Sequence, residues 1–174
     1  MGDKAEFDLA ASPGQLLHRA QQFAAERFSA ATGGVEITQR QFAVLSALKE
    51  ADGQTQTQLV QRTGIDRSTL AELVSRMATR GLVAREKAPG DARANAVKLT
   101  DEGRALHQTA VDGAKAADEA ILSVLAKNKR ANFVDALVRI SRALDPDAGP
   151  DAKDKAAKKD GKDKDKKKKK KKKK

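Results

Sequence analysis

The chain has 174 residues and a formal charge of +11, from 35 Lys and Arg against 24 Asp and Glu, and it contains no cysteine. The absence of cysteine excludes disulfides, thiolate metal sites and thiol-based redox sensing. No apolar run approaches the ~18 residues of a membrane-spanning helix, and the N-terminus lacks the apolar core of a secretory signal, so we expect a cytoplasmic protein. Aromatic residues make up 3% of the chain, so its core must consist of small aliphatic side chains, which favours packed helices.

Most of the positive charge lies in a C-terminal tail. Residues 145–174 hold 15 Lys and 7 Asp and end in nine consecutive lysines, whereas the first 144 residues carry 20 basic and 17 acidic side chains. Because the tail has almost no large apolar residues, we expect it to be disordered. Two interpretations stay open: a polycation that adds salt-sensitive, non-specific attraction to DNA, and a solubilising extension with no dedicated role.

Helix-start patterns recur in the first half of the chain. A Ser or Thr followed three residues later by Gln can form a capping box, in which side chain and backbone satisfy each other's free groups. Pro13 at the first helical position strengthens the first of these starts. Glycines at or beyond each predicted helix end supply the matching stops. The predicted starts are Ser12 with Gln15, Thr38 with Gln41, and Thr55 with Gln58.

The second half predicts a fourth helix, a hairpin and two closing helices. Asp66 is a suitable N-cap for the fourth helix, and Gly81 ends it. The sequence around residues 82–83 and 97–99 predicts two paired strands. Thr100 caps a fifth helix that should run to about Lys127, and Asn128 caps the sixth.

The fourth helix has the asymmetry that a DNA recognition helix needs, with an apolar stripe on one side and short hydroxyl side chains on the other. Ser68 and Thr69 are the first candidates for base or phosphate contacts, because the N-terminal part of a recognition helix makes those contacts. Arg76 can reach a guanine edge or a phosphate, and Glu72 can accept from a cytosine amino group. An ordinary amphipathic surface helix is the alternative. The candidate DNA-binding residues here are Arg67, Ser68, Thr69, Glu72 and Arg76.

A charged hairpin follows this helix. Asp91 lies two residues before Arg93, beside the turn at Pro89 and Gly90. An arginine at a hairpin tip can enter a narrow minor groove, whose potential attracts cations, and Asp91 could orient its guanidinium through a charge-assisted hydrogen bond. A solvated hairpin with a weak surface ion pair is the alternative. Two short helices followed by a hairpin indicate a winged helix-turn-helix more strongly than either part alone.

Residues 64–103 resemble the core of the MarR family of bacterial transcriptional regulators. The matching features are D-x-S-T at the helix start, R-G-L-V before the hairpin, D-x-R in the hairpin and V-x-L-T-x-x-G after it. The resemblance covers roughly residues 12–144. It implies a mainly α fold with a small β-wing, in which a winged helix-turn-helix lobe is joined to an interlocking helical dimerisation region. It places a flexible N-terminus at residues 1–11, the DNA-binding lobe at about 38–99, and the dimerisation helices at about 12–32 and 100–144.

The resemblance also implies a homodimer that reads a pseudo-palindromic operator in double-stranded DNA. Apolar residues of the first and last helices, among them Phe28 and Ile140, would form the shared core. Many family members carry a second arginine in the wing where this chain has Ala92, so one positive charge is missing from the wing. Repression is the more common activity in the family, although activation is also compatible with the sequence.

A small-molecule effector is implied as well, bound between the dimerisation helices and the DNA-binding lobe. Effectors in the family are often phenolic or aromatic acids, lipophilic drugs or related compounds, and a CoA thioester is a further candidate. A basic side chain would hold a carboxylate or phenol while a phenylalanine packs on the ring. The alternative is that the phenylalanines belong to the core and that Arg19 is solvated. The candidate ligand-binding residues are His18, Arg19, Phe23 and Phe42.

The sequence does not predict an enzyme, a metal site or a cofactor. His18 and His107 are far apart and neither has a partner at metal-ligand spacing, so a surface or interface position is expected for both. Serines lack a nucleophile-elbow context, and no glycine-rich phosphate loop is present. Two other functions remain: an architectural, largely non-specific DNA-binding protein that uses the lysine-rich tail, and a protein-interaction module whose helix-turn-helix no longer binds DNA.

Overall fold

The computed structural model describes residues 7–88 and 91–143, with the backbone alone at residues 88 and 91–95. Within this part the chain is mainly helical and carries one small antiparallel sheet, which confirms the predicted fold class. The elements in chain order are α1 Pro13–Ala31, α2 Gln39–Glu50, β1 Gln54–Thr55, α3 Gln56–Thr63, α4 Arg67–Thr79, β2 Val83–Ala88, β3 Asp91–Leu99, α5 Asp101–Ser123 and α6 Lys127–Arg142.

The chain divides into two units, Met1–Ala136 and Leu137–Lys174. The first unit contains every element from α1 to α5 together with the start of α6. In the second unit the described residues, 137–143, are the last turns of α6. The predicted tail at residues 145–174 lies outside the described residues, as do residues 1–6 of the predicted flexible N-terminus.

Two of the predicted capping boxes are confirmed atom by atom. Thr38 Oγ1 accepts from the Gln41 backbone N at 3.2 Å, and Gln41 Oε1 accepts from the Thr38 backbone N at 2.9 Å. Thr55 and Gln58 repeat the arrangement at 3.3 and 2.8 Å. Each box satisfies amide groups that a helix start leaves without an intrahelical partner. The sequence alone therefore determines where α2 and α3 begin.

The prediction of a capping box at Ser12 is wrong. Ser12 is the N-cap residue of α1, but its side chain makes no capping bond. Its ψ is 120°, compared with 158° at Thr38 and 161° at Thr55, the caps whose hydroxyls do accept. Pro13 at the first helical position already removes one amide that would otherwise need a partner, so α1 begins at the predicted residue by another route.

The predicted boundary between the last two helices is also wrong. The fifth helix ends at Ser123 instead of near Lys127, and α6 begins at Lys127, so Asn128 lies inside α6 and is not its cap. Backbone bonds from Leu125 to the Leu122 carbonyl and from Lys129 to the Ala126 carbonyl close this connection. The Arg130 side chain also donates to the Leu125 carbonyl at 3.2 Å, and no glycine or proline marks the turn in the sequence.

The hydrophobic core lies beneath α4. Four side chains of α4 are buried while its opposite side is exposed, as the apolar spacing predicts. Burying each such side chain contributes on the order of 1.5–3 kcal/mol, which fixes the orientation of α4 against α3 and β2. The largest fully buried side chains are Val44, Leu45, Leu48, Leu59, Leu70, Val74, Met77 and Val97.

The sheet has the order β1-β3-β2, with both pairs antiparallel. Val83 pairs with Leu99, which confirms the predicted hairpin, and the register shifts between Lys87 and Ala88. The sequence analysis missed β1, where Gln54 pairs with Val97. Two residues are too few to show an alternating pattern. Through β1 the wing is joined directly to the start of α3.

Two glycines let α5 approach its neighbours closely. A Cβ at Gly113 would lie 2.7 Å from the Ala31 carbonyl oxygen, and one at Gly103 would lie 2.1 Å from the Leu82 carbonyl oxygen. Real side chains do not tolerate such distances to backbone atoms. Gly113 thus sets the crossing of α1 and α5, and Gly103 holds the first turn of α5 against the base of the wing.

Candidate DNA interface and ligand site

The start of α4 is organised by Asp66. Its Oδ1 accepts from the Thr69 backbone N at 2.9 Å and from the Ser68 hydroxyl at 2.6 Å. The hydrogen bond from the Ser68 side chain, followed by those from Thr69, holds the pKa of the Asp66 carboxyl well below its usual range. Asp66 thus stays ionised as the N-cap and orients the hydroxyl of Ser68 at the exposed N-terminal end of α4.

The exposed side of α4 brings most of the predicted DNA-binding residues together. Arg67, Ser68, Glu72 and Arg76 are exposed, whereas Thr69 is half-buried. Arg76 Nη2 lies 3.5 Å from Glu72 Oε1, with both side chains about two-thirds exposed. An exposed ion pair of this kind stabilises the helix by roughly 0–1 kcal/mol, so Arg76 can exchange Glu72 for a DNA phosphate or base at little cost.

Two arginines connect α4 to its neighbours. Arg67 Nη2 donates to Thr57 Oγ1 at 3.2 Å and so links α4 to α3. Arg85 Nη2 donates to the Ala71 carbonyl oxygen at 3.3 Å and links β2 to α4. Gly64 ends α3 in the left-handed conformation, with φ of +67°, and so makes the sharp turn between the two short helices. Together these contacts make α3, α4 and the wing one winged helix-turn-helix.

The described part of the wing carries both signs of charge. Arg85, Glu86 and Lys87 are exposed on β2. Lys98 Nζ lies 2.6 Å from Glu86 Oε2, and this hydrogen bond and the carboxylate charge raise the pKa of Lys98. Asp91 is the first residue of β3. The side chains of Asp91 and Arg93 lie outside the described residues, so their proposed contacts remain predictions.

The predicted ligand residues are distributed over separate places. Arg19 lines a pocket of about 580 Å³ together with Phe7, Asp8, Gln15 and Leu16, where the chain before α1 folds back on that helix. His18 is exposed, and its Nε2 lies 3.3 Å from Gln22 Nε2. Phe23 is half-buried beneath the guanidinium of Arg27, 5.1 Å from the ring centroid. In the single chain, only Arg19 of the four faces this pocket.

Phe42 belongs to a different cluster, which contains the second histidine. Its ring stacks on His107 with centroids 5.0 Å apart and an interplanar angle of 1°, and it also lies 5.6 Å from Phe28. His107 Nε2 is 3.0 Å from Ser46 Oγ. Burial, with a smaller contribution from the Lys49 charge, lowers the pKa of His107.

A surface or interface position was expected for His107, and the surface alternative is wrong, because the side chain is 6% exposed within the single chain. Its position in the helix provided a signal, because residues 103, 107 and 110 recur at helical spacing and all three are buried. His18 is exposed, as expected. Among the described residues no cluster of His, Asp or Glu has the makeup of a metal site. None of the helices in residues 7–88 and 91–143 is long and apolar enough to span a membrane.

The MarR family model matches residues 35–94, which run from the loop before α2 into the wing. The transcriptional regulator HosA of Escherichia coli O157:H7 is 36% identical over 104 residues, which are 60% of this chain and 76% of HosA. The chain belongs to the MarR family. The transcriptional repressor NicR of Pseudomonas putida KT2440 is 29% identical over 145 residues, 83% of this MarR-family chain and 90% of NicR.

Solved structures of MarR-type regulators superpose over most of both chains. PcaV of Streptomyces coelicolor in complex with its natural ligand is 36% identical, with a TM-score of 0.73 over 81% of this chain and 99% of PcaV. BpsR of Bordetella bronchiseptica, whose DNA binding is regulated by 6-hydroxynicotinic acid, is 29% identical, with a TM-score of 0.73 over 79% and 98%.

The regulator CouR adds DNA-bound and ligand-bound forms. CouR bound to a 23-mer DNA duplex is 30% identical, with a TM-score of 0.68 over 79% of this chain and all of CouR. CouR of Rhodococcus jostii RHA1 bound to p-coumaroyl-CoA is 26% identical, with a TM-score of 0.65 over 81% and 97%. The MarR-family chain is therefore a transcriptional regulator of the MarR type, a class of non-enzymatic DNA-binding proteins.

Proposed function

We propose that this MarR-family regulator is a homodimeric, sequence-specific repressor that a small aromatic acid, or its CoA thioester, releases from a pseudo-palindromic operator. The observation that carries the proposal is the exposed side of α4. Asp66 orients Ser68 at the start of the helix, and Arg67 and Arg76 flank it. The N-terminal part of α4 would read base edges in the major groove, and Ser68 and Thr69 are the first candidates for these contacts. Glu72 would accept a hydrogen bond from a cytosine amino group.

The wing would supply the second DNA contact. Arg93, oriented by Asp91, would enter the adjacent minor groove, where the narrow groove concentrates negative potential. Arg85 and Lys87 add positive charge on the described part of the hairpin. CouR, which superposes on this chain, is a neighbour solved on a DNA duplex. Its structure supports a DNA-bound role for the same elements here.

Dimerisation would cover apolar side chains that the single chain exposes. On α1, Leu16 and Leu17 are 48% and 41% exposed, and on α6, Val134 and Ile140 are 44% and 52% exposed. Exposed apolar residues grouped on helices mark protein interfaces more often than solvated surface. Phe28 was predicted to belong to the core shared by the two chains of the dimer. It is 4% exposed and belongs instead to the core of its own chain. A two-fold dimer would set its recognition helices about 34 Å apart, one turn of DNA.

The effector would bind beside α1. The guanidinium of Arg19 suits a carboxylate, and the Phe7 ring in the same pocket suits an aromatic ring. The 6-hydroxynicotinic acid of BpsR and the p-coumaroyl-CoA of CouR support this class of ligand. Release of DNA would follow if the ligand binds better to a dimer whose recognition helices have a different spacing, and the shift can be no larger than that difference in affinity.

The test of DNA recognition begins with selection of duplexes from a random-sequence library by the full-length chain. Affinity for the selected duplex and for a scrambled copy is then measured by fluorescence anisotropy, with and without residues 145–174. We expect a palindromic consensus and tighter binding to the selected duplex by at least about 10³-fold in both chains. Equal affinity for both duplexes would favour the architectural alternative, for which the nine lysines of the tail are the supporting observation.

The test of the effector uses the same duplex. Aromatic acids and p-coumaroyl-CoA are titrated into the complex, and release is followed by anisotropy. We expect Arg19→Ala to weaken release by an acid about tenfold or more, because the variant cannot form the charge-assisted hydrogen bond. Arg27→Ala is the matched control, since Arg27 lies on the same helix but stacks on Phe23. Equal responses of the two variants would remove Arg19 from the ligand site.

A further inference from the structure

The turn that follows α2 places one carboxylate against two other elements. Asp52 lies between Ala51, the C-cap of α2, and Gly53, whose φ is +71°. Asp52 Oδ1 accepts from the Leu99 backbone N at 2.9 Å. Asp52 Oδ2 lies 3.7 Å from Arg104 Nη2. A single side chain therefore contacts the last residue of the wing and the first turn of α5.

The sheet register explains why Leu99 needs this acceptor. Gln54 pairs with Val97, and extending the antiparallel register by two residues places Asp52 opposite Leu99. Because β1 begins only at Gln54, Asp52 lies just before the strand, at the position where the backbone carbonyl of a strand residue would face the Leu99 amide. The Asp52 carboxylate replaces that carbonyl. An ionised acceptor makes a shorter and stronger bond to an amide than a neutral one does, so the end of β3 is held at this point.

Asp52 lies between two basic residues, Lys98 and Arg104, and Lys98 in turn pairs with a second acid. Glu86 on β2 pairs with Lys98 on β3, and the charge of Asp52 adds to the effect of Glu86 in raising the pKa of Lys98. On its other side Asp52 faces Arg104 of α5. The side chains of these four residues are 42–52% exposed, so each ion pair is weak in water. The hydrogen bond to the Leu99 amide is the contact of Asp52 that holds the backbone of β3 directly.

We propose that Asp52 is a positioning residue for DNA binding, which orients the wing by anchoring the end of β3 to the turn after α2 and to α5. The hairpin projects from this anchor, so a small rotation at Leu99 is magnified at the far end of the wing. The inference rests on the proposed function in one respect, namely that the wing contacts DNA through Arg93. The DNA-binding residues predicted from the sequence do not include Asp52, whose partners Leu99 and Arg104 are distant from it in the chain.

The negative charge of Asp52 makes the test decisive. Removing an acid that does nothing but repel phosphate should tighten DNA binding. Removing an anchor of the wing should weaken it. We expect Asp52→Ala in the full-length chain to weaken binding to the selected duplex about fivefold, because the variant lacks one charged hydrogen bond. Asp52→Asn keeps an acceptor oxygen and should bind within about twofold of the wild-type chain.

Glu102→Gln is the charge-matched control, because Glu102 is an exposed acid in the same turn of α5 as Arg104. It should bind as tightly as the wild-type chain or more tightly. If Asp52→Ala binds as tightly as Glu102→Gln, Asp52 does not position the wing. Asp52→Glu keeps the charge but moves the carboxylate by one methylene. It should weaken binding as Asp52→Ala does, and it serves as the second test should Asp52→Ala fail to fold.

A double-mutant cycle with Arg93→Ala separates positioning from a general loss of structure. If Asp52 acts through the wing, Asp52→Ala has little further effect on affinity once Arg93 is removed. Fully additive losses would show that Asp52 acts elsewhere and would overturn the proposal. An unchanged affinity of Arg93→Ala would instead contradict the wing contact itself, and with it the route from Asp52 to DNA. A weakened Arg93→Ala beside an unchanged Asp52→Ala contradicts the anchor alone.

Discussion

At the scale of single residues, the buried histidine shows how packing changes the chemistry of a common side chain. His107 stacks on Phe42 and has one ring nitrogen next to Ser46, while its Nδ1 has no hydrogen-bond partner among the described residues. A second proton on this ring would have to be buried close to Lys49. The folded chain therefore favours the neutral form of His107, and protonation opposes the packing of α5 on α2.

This environment predicts a loss of stability in mild acid. Because the pKa of His107 is lower in the folded chain than the ordinary value of 6.5, the unfolded chain binds the extra proton first as pH falls. The contribution of His107 is complete above pH 6.5 and is lost as the pH falls from there through the folded pKa. Between pH 8 and pH 5.5, the melting temperature of His107→Gln should fall less steeply with decreasing pH than that of the wild-type chain.

His18→Gln, at an exposed histidine of α1, is the control for that experiment and should retain the wild-type dependence on pH. A His107→Gln chain that loses stability as steeply as the wild type below pH 6.5 would contradict the assignment of a neutral, buried His107.

The exposed arginine of α4 leads to a prediction about DNA. Arg76→Ala removes a positive charge whose partner in the free protein, Glu72, is exposed. If Arg76 contacts a base, we expect a loss of about 1–3 kcal/mol in binding to the selected duplex and relaxed selection at one position. If Arg76 contacts a phosphate, the affinity for all DNA sequences should fall by a similar factor, and the slope of log affinity against log salt concentration should decrease by about 1.

Anisotropy titrations at several salt concentrations on selected and scrambled duplexes distinguish these two contacts. Lys115→Ala is the matched control, since Lys115 is an exposed base on α5 that pairs with Asp112 at 3.5 Å. Equal behaviour of the Arg76 and Lys115 variants would exclude Arg76 from the interface.

At the scale of elements, the crossing of α1 and α5 depends on the absence of one methyl group. A Cβ at Gly113 would meet the Ala31 carbonyl oxygen at 2.7 Å and Thr32 Cγ2 at 2.8 Å. Thr32 is itself buried, and its hydroxyl donates to the Phe28 carbonyl at 2.8 Å. The obstacle includes backbone, so a side-chain rotation cannot remove it.

Gly113→Ala should therefore destabilise the chain by about 1–3 kcal/mol, the usual effect of overpacking. Gly14→Ala provides the comparison, because Gly14 also lies in a helix but has nothing within 4 Å of an added Cβ. That variant should gain up to about 1 kcal/mol from the higher helix propensity of alanine. Urea unfolding of both variants measures the difference. A stability of Gly113→Ala equal to that of Gly14→Ala would show that α1 and α5 do not approach as closely as described.

Elements whose ends depend on side chains close in sequence were predictable, and those that depend on distant contacts were not. The boxes at Thr38 and Thr55 need only residues three apart, so the sequence could predict them, although the same spacing at Ser12 gives no side-chain capping bond. The two-residue strand β1 exists because Gln54 meets Val97, which is far away in the chain. The end of α5 at Ser123 depends on a backbone turn that no residue type marks.

The candidate site divides in the same way. The exposed side of α4 follows from helical spacing, and Arg67, Ser68, Glu72 and Arg76 lie on it as predicted. Spacing could not show that Phe42 packs on His107, because these residues belong to different helices. Nor could it reveal the role of Asp52, which depends on the register of β1 against β3.

At the scale of the whole molecule, the uneven distribution of charge is the dominant property. The tail after residue 144 has 15 lysines and 7 aspartates and so a large net positive charge, whereas positive and negative charges nearly balance in the first 144 residues. Each phosphate neutralised by a lysine releases a counterion, so a polycation makes DNA binding steeply dependent on salt. We expect the tail to increase affinity for all DNA sequences and the folded part to supply the choice among them.

Removal of residues 145–174 should then weaken binding to scrambled DNA and to the selected duplex by similar factors, because the attraction of the tail to phosphate is independent of sequence. It should also flatten the salt dependence, with a change of roughly 0.9 in the slope for each phosphate that the shortened chain leaves unneutralised. Anisotropy titrations between low and physiological salt measure both slopes. Identical slopes with and without the tail would leave it as a solubilising extension.

The contact of Gly103 with the Leu82 carbonyl has a mechanical consequence. Since the first turn of α5 cannot slide past the base of the hairpin, the two must tilt together. At 1.5 Å per residue the 23 residues of α5 form a lever about 34 Å long. A tilt of about 5° displaces one end of such a rod by about 3 Å relative to the other. If the effector binds near the far end of α5, we expect such a tilt to change the position of the hairpin on the duplex.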